Sequence, residues 1–106
     1  MIDIGVVYYR MGATSNTIEA TWYTSRLEKR ETGRGLANGD TSNGFPGEYF
    51  VAYFHPDGSK AGTFDLRIEK AGAVYDLSWS QQGKLTHVGV GIEVADGLAA
   101  GWRKVE

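Results

Sequence analysis

Three tryptophans, six tyrosines and two histidines are the side chains of this 106-residue sequence with most to offer a ligand. Trp22, Trp79, Tyr8, Tyr49, Tyr53, Tyr75 and Trp102 form a set of rings that combine apolar area with polar tips, the usual walls of small-molecule sites. The same residue types also fill protein interiors. Walls from Trp22, Tyr53, Tyr75 and Trp79, with Arg10 or Asp76 adding polarity, would bind a small apolar or aromatic molecule without catalysing anything. Trp22 and Trp79, facing each other across a cavity, would sandwich a planar ligand. A second reading is a homo-oligomeric or protein-interaction module presenting Val7, Tyr9, Phe50 and Phe54 on an exposed strand face.

Reaction chemistry has less to work with. His55 precedes Pro56-Asp57-Gly58 and reads as a turn residue. His87 and Glu93 are six positions apart, roughly 20 Å along a strand, too far to share a metal. Zinc needs three or four converging protein ligands, which here only a set drawn across strands from His55, His87, Asp57 or Asp76 would supply. Asp65, Arg67 and Glu69, with Asp76 on the next segment, read as a solvated face with cross-strand ion pairs. Ser78 and Ser80 have no histidine placed to activate them. Gly33-x-Gly35 and Gly89-x-Gly91 neither open a helix nor carry the lysine and hydroxyl of a phosphate loop. No catalytic residue, metal or cofactor is therefore expected, and a non-enzymatic role is favoured.

The elements that must position these rings are strands. Gly47–Phe54 runs into His55-Pro56-Asp57-Gly58, where proline and glycine supply the dihedrals of a reversal. Gly62–Glu69 and Val74–Ser80 alternate apolar and polar residues with period two, the mark of half-buried strands. Earlier, Met1–Tyr9 places Ile2, Ile4, Val6 and Tyr8 on one face and Asp3, Gly5, Val7 and Tyr9 on the other. Thr17–Ser25 aligns Ile18, Ala20 and Trp22. The weakest strand is Glu31–Ala37, interrupted by two glycines. Lys84–Val94 sets Val88, Val90, Ile92 and Val94 against His87, Gly89, Gly91 and Glu93, and after the Asp96-Gly97 turn Leu98–Val105 closes the chain.

Two halves echo each other. Trp22 is followed by glycine 11 positions later, at Gly33, and Trp79 by glycine 10 positions later, at Gly89. Each half thus holds a tryptophan strand, a polar reversal and a strand pinched by Gly-x-Gly. Eight short antiparallel strands lose their edges only by closing, so the expected fold is an all-β, eight-stranded, antiparallel up-and-down barrel, one domain over residues 1–106. Fifteen glycines suit tightly coiled strands. A two-sheet sandwich is the rival, but it usually needs longer crossings between sheets.

The stretch Ala20-Thr21-Trp22-Tyr23-Thr24-Ser25 resembles the Gly-Thr-Trp-Tyr-Asn strand start of avidin and streptavidin, with Ala20 in place of the glycine and Thr24 in place of the asparagine. The meander with repeated Tyr and Trp resembles the wider calycin superfamily. This implies an eight-stranded barrel open to a small ligand, but transfers no biotin-binding residue. A separate family of small bacterial barrels fits the same pattern.

Composition bounds the partners. The chain is 42% apolar and 23% charged, as in folded globular domains. Cysteine is absent, which excludes disulfides and thiol chemistry. The net charge of −2 and the acidic residues interspersed around Arg26–Arg34 argue against nucleic acid. No apolar run is long enough for a membrane helix, so no membrane partner and a cytoplasmic location are expected. A homodimer is the expected assembly, symmetric dimers being the commonest closed oligomers.

Overall fold

A computed structural model describes residues 4–27 and 29–105. Eight strands follow one another, β1 (Ile4–Met11), β2 (Thr17–Thr24), β3 (Gly33–Gly39), β4 (Gly47–Phe54), β5 (Lys60–Ala71), β6 (Val74–Gln81), β7 (Lys84–Val94) and β8 (Gly97–Lys104). Each pairs antiparallel with the next, and β8 returns to pair with β1, so the sheet is a closed up-and-down barrel. Closure leaves no unpaired strand edge. Among the described residues no helix is long and apolar enough to cross a membrane.

Side chains alternate in and out along every strand. Ile18, Ala20 and Trp22 of β2, Tyr49, Val51 and Tyr53 of β4, Leu66 and Ile68 of β5, and Tyr75, Leu77 and Trp79 of β6 point into a common core. The first strand required a correction. Val7 and Tyr9, expected outside, are 4% and 0% exposed, whereas Ile4 and Val6 face outward. Both faces of β1 are apolar, so alternation cannot choose between them. Register does: Gly5 pairs with Trp102, and a Cβ at Gly5 would collide with the Trp102 ring. The face carrying Gly5, and with it Val7 and Tyr9, is the one that fits inside.

The same device recurs around the barrel. Large rings on the even-numbered strands lie over glycines on the odd-numbered ones. Trp22 covers Gly33, its register partner. Tyr53 covers Gly35, where a Cβ would sit 2.7 Å from Tyr53 Cδ1, and Trp79 approaches Gly89, with Cζ3 3.2 Å from the Cβ site. Large and small residues thus alternate around the interior, as the narrow bore of an eight-stranded barrel requires. The cost is paid on β7, where the glycines face in and Val90, Ile92 and Val94 face solvent.

The two ends differ. The lower end carries the turns 12–16, 40–46, 72–73 and 95–96. There Phe45 inserts into the core, and Tyr49 Oη donates to the Phe45 carbonyl at 2.9 Å. Asn16 ties two of these turns together by accepting from the Thr41 amide at 3.2 Å. The upper end carries the β2–β3, β4–β5 and β6–β7 connections. Two β-bulges lie just inside it, where Ala61 is extra opposite Tyr53/Phe54 and Thr86 is extra opposite Trp79/Ser80.

Candidate functional site

The upper end opens into a cavity of about 140 Å³ lined by Val7, Trp22, Tyr53, Ala61, Gly62, Phe64, Trp79, His87 and Trp102. An arc of rings forms most of the wall. Trp22 meets Tyr53 at 6.2 Å between centroids and 74° between planes, and Tyr53 meets Phe64 at 5.9 Å. His87 stands edge-on to both Phe64, at 5.4 Å, and Trp102, at 5.2 Å. These tilted and edge-to-face contacts lie within the favourable range for ring pairs, so the wall is held in shape by its own members. Trp22 on β2 and Trp79 on β6 have three strands between them either way around the closed sheet, which places their strands on opposite sides of the mouth.

The polar atoms of the wall are already engaged. Trp22 Nε1 donates to the Arg34 carbonyl at 3.0 Å. Trp79 Nε1 donates to Tyr53 Oη at 2.8 Å, and Tyr53 Oη lies 2.5 Å from Tyr9 Oη. Burial, which disfavours the phenolate, pushes the Tyr53 hydroxyl up to about 12. Burial chiefly, then the neighbouring Tyr53, raises Tyr9 well above its ordinary value. Among the described residues no buried side-chain nitrogen or oxygen lacks a partner. The interior below the mouth is therefore apolar in effect, with a neutral, self-satisfied hydroxyl pair at its floor.

No protein-family model matches the chain, and no curated protein or solved structure matches it. What the mouth can hold follows from its own shape and charge.

Three of the six ligand residues expected from sequence, Trp22, Tyr53 and Trp79, meet at this cavity. Tyr75 faces inward but near the opposite end, where it donates to Glu93 Oε1. That bond is the main reason its hydroxyl is pushed up to about 12, and Lys70 Nζ stands 6.0 Å from its ring. Arg10 faces outward at the lower end and pairs with Asp96 at 3.3 Å. Asp76 lies on the outer wall beside Glu69 and Ser78. Neither Arg10 nor Asp76 adds polarity to the cavity.

Phe64 and His87 are the ring-bearing residues of the site that sequence reasoning passed over. Both were accessible to it: Phe64 precedes the buried Leu66 by two positions, and His87 shares a face with Gly89 and Gly91. His55 also belongs here, its ring 6.2 Å from that of Trp22, so both histidines flank the mouth. Among the described residues no three His, Asp or Glu side chains are grouped to hold a metal ion.

The apolar surface expected from Val7, Tyr9, Phe50 and Phe54 does not exist as one face. Phe50 is 55% exposed on β4, with Phe54 partly covered at the end of the same strand. Another outer patch lies across β7, β8 and β1. There Val90 and Ile92 are 64% and 53% exposed and pair with Gly101 and Ala99, which pair on their other side with Val6 and Tyr8. Two bulky ridges thus flank a trough of small residues.

Proposed function

We propose that this barrel is a non-enzymatic binding protein that takes a small apolar or aromatic molecule into its open mouth. The observation carrying this reading is the ring-walled cavity of about 140 Å³ at one end of a barrel whose other end is stoppered by Phe45. An apolar cavity of about 150 Å³ accommodates benzene, so the space suits one ring or one branched aliphatic group. The remainder of a larger ligand would emerge between His55 and His87. The avidin-like stretch Ala20–Ser25 contributes Trp22 to this wall, which supports the same reading. The proposed setting is the cytoplasm.

A cavity-filling variant tests the proposal. Gly62 lines the space, and a Cβ there meets only Phe64, at 3.3 Å from Cε1. Gly62→Val should leave the barrel folded, as read by circular dichroism. Native mass spectrometry of protein purified from its source cells should show a small-molecule adduct on the wild type that is lost on denaturation and missing from the variant. Equal behaviour of the two proteins would defeat the reading.

Self-association is a second reading, supported by the ridge-and-trough relief on β7, β8 and β1. A two-fold axis brings identical patches together, and the Val90–Ile92 ridge of one copy has the spacing of one strand register to fill the Ala99–Gly101 trough of the other. The proposed occupant of this face is a second copy of the chain.

A further inference from the structure

We infer that the mouth selects an organic anion, an aromatic or branched apolar group carrying a carboxylate or similar acid group at its outer end. The inference rests on the binding reading above and names the class of ligand.

Charge is sorted along the barrel axis. Of the 11 basic residues of the chain, Arg26, Lys29 and Arg30 lie in the β2–β3 connection and Arg34 at the adjoining start of β3. Lys60 opens β5, Lys84 opens β7, and Arg103 and Lys104 end β8. All of these surround the mouth. Glu31 and Asp57 are the acids found there among the described residues, and Asp57 is bound by Ser59.

The lower end is the reverse. Glu19, Asp40, Glu48, Glu69, Asp76, Glu93 and Asp96 cluster toward it, with Arg10, Arg67 and Lys70 as the basic residues. The Arg10–Asp96 and Arg67–Glu69 ion pairs lie on the side away from the mouth. A chain of net charge −2 thus carries an axial dipole whose positive end is its binding end. Fields of this kind concentrate ligands of opposite sign, over a screening length of roughly 8 Å at physiological salt.

The cavity itself dictates where a ligand's polar group must go. Tyr53 Oη, Trp79 Nε1 and Trp22 Nε1 are each committed to protein partners. A polar group pushed inward would lose water and meet these three atoms already engaged, which is costly. The ring therefore enters first and the polar group stays at the rim. There Lys104 is the register partner of His87 and lies two positions beyond Trp102 on the same strand, so it continues the inward row past the wall.

The test uses three probes with one ring and different charge: phenylacetate, phenylacetamide and phenethylamine, titrated against the intact protein by calorimetry. Phenylacetate should bind about threefold to fivefold more tightly than the amide, the scale of one exposed ion pair at a protein surface. Phenethylamine should bind weakest, and the spread should shrink as salt rises. The exposed double variant Lys60→Glu with Lys104→Glu should lose the preference while its affinity for phenylacetamide is kept. Equal binding of all three probes, or preference for the amine, overturns the anion inference and leaves the cavity reading standing. Binding of none overturns both.

Discussion

Trp79 Nε1 on β6 donates to Tyr53 Oη on β4 at 2.8 Å, and Tyr53 Oη is 2.5 Å from Tyr9 Oη on β1. Three strands that are not sheet neighbours are thus joined through one buried oxygen. Tyr53→Phe removes that oxygen and takes a partner from both the indole N–H and the Tyr9 hydroxyl. Each buried group left unsatisfied costs about 1–3 kcal/mol, so urea unfolding should show a loss within or above that range. An unchanged midpoint would mean that the three groups do not depend on one another.

The glycines inside the barrel and those outside it should answer differently to one added methyl. At Gly33 a Cβ runs into the Trp22 ring and the Phe54 carbonyl, and Gly33→Ala should cost about 1–3 kcal/mol as overpacking. At Gly101 the nearest atom is 4.0 Å away. Gly101→Ala should be neutral or stabilising by up to about 1 kcal/mol, through the unfolded chain. Thermal denaturation of both variants decides whether the rings and glycines are matched as described.

Alkaline titration reports on the tyrosine floor. Tyr53 ionises at about 12 in the folded chain, against an ordinary 10.0, and burial raises Tyr9 well above the same 10.0. The folded state holds these protons more tightly than the unfolded one, so their contribution is fully present below about pH 10 and is lost as pH climbs through about 12. Tyrosinate absorbance from this pair should rise together with loss of the far-ultraviolet dichroism. Ionisation of all six tyrosines by about pH 10 with the barrel intact would contradict the buried pair.

The outer face makes a separate prediction. Val90 is 64% exposed and unneeded by the core, so Val90→Glu should preserve folding and convert a dimer to a monomer in sedimentation equilibrium. Phe50→Ser is the control, because β4 lies four strands from β8 around the barrel and its outer face is remote from the trough. A monomeric wild type, or dissociation by the control variant, would remove the case for this interface.

The eight strands were legible because period-two alternation and glycine turns are local signals, and the bounds of β4 and β7 agree with those read from sequence. Which way β1 faces was not, since Val6 and Tyr8 are as apolar as Val7 and Tyr9; only the ring of Trp102, 97 positions away from Gly5, settles it. Height along the barrel was equally hidden. Tyr75 shares an inward row with Trp79, but alternation gives the face of a residue and not its level, so the two lie at opposite ends. The misplacement of Asp76 was avoidable, because it neighbours the inward Tyr75 and must point out. The sorting of charge was hidden for the same reason as height: basic residues scattered through the sequence come together only when alternate turns are stacked at one end.

The bulged residues Ala61 and Thr86 give this barrel an aperture whose size is separable from its fold. Each lies in a hairpin at the open end, outside the ring-over-glycine layers that fix the register below. Removing either residue restores plain pairing in its own hairpin and draws in that part of the rim. Gaining or losing a single residue at either point should therefore change the width of the opening while the scaffold below it stays the same.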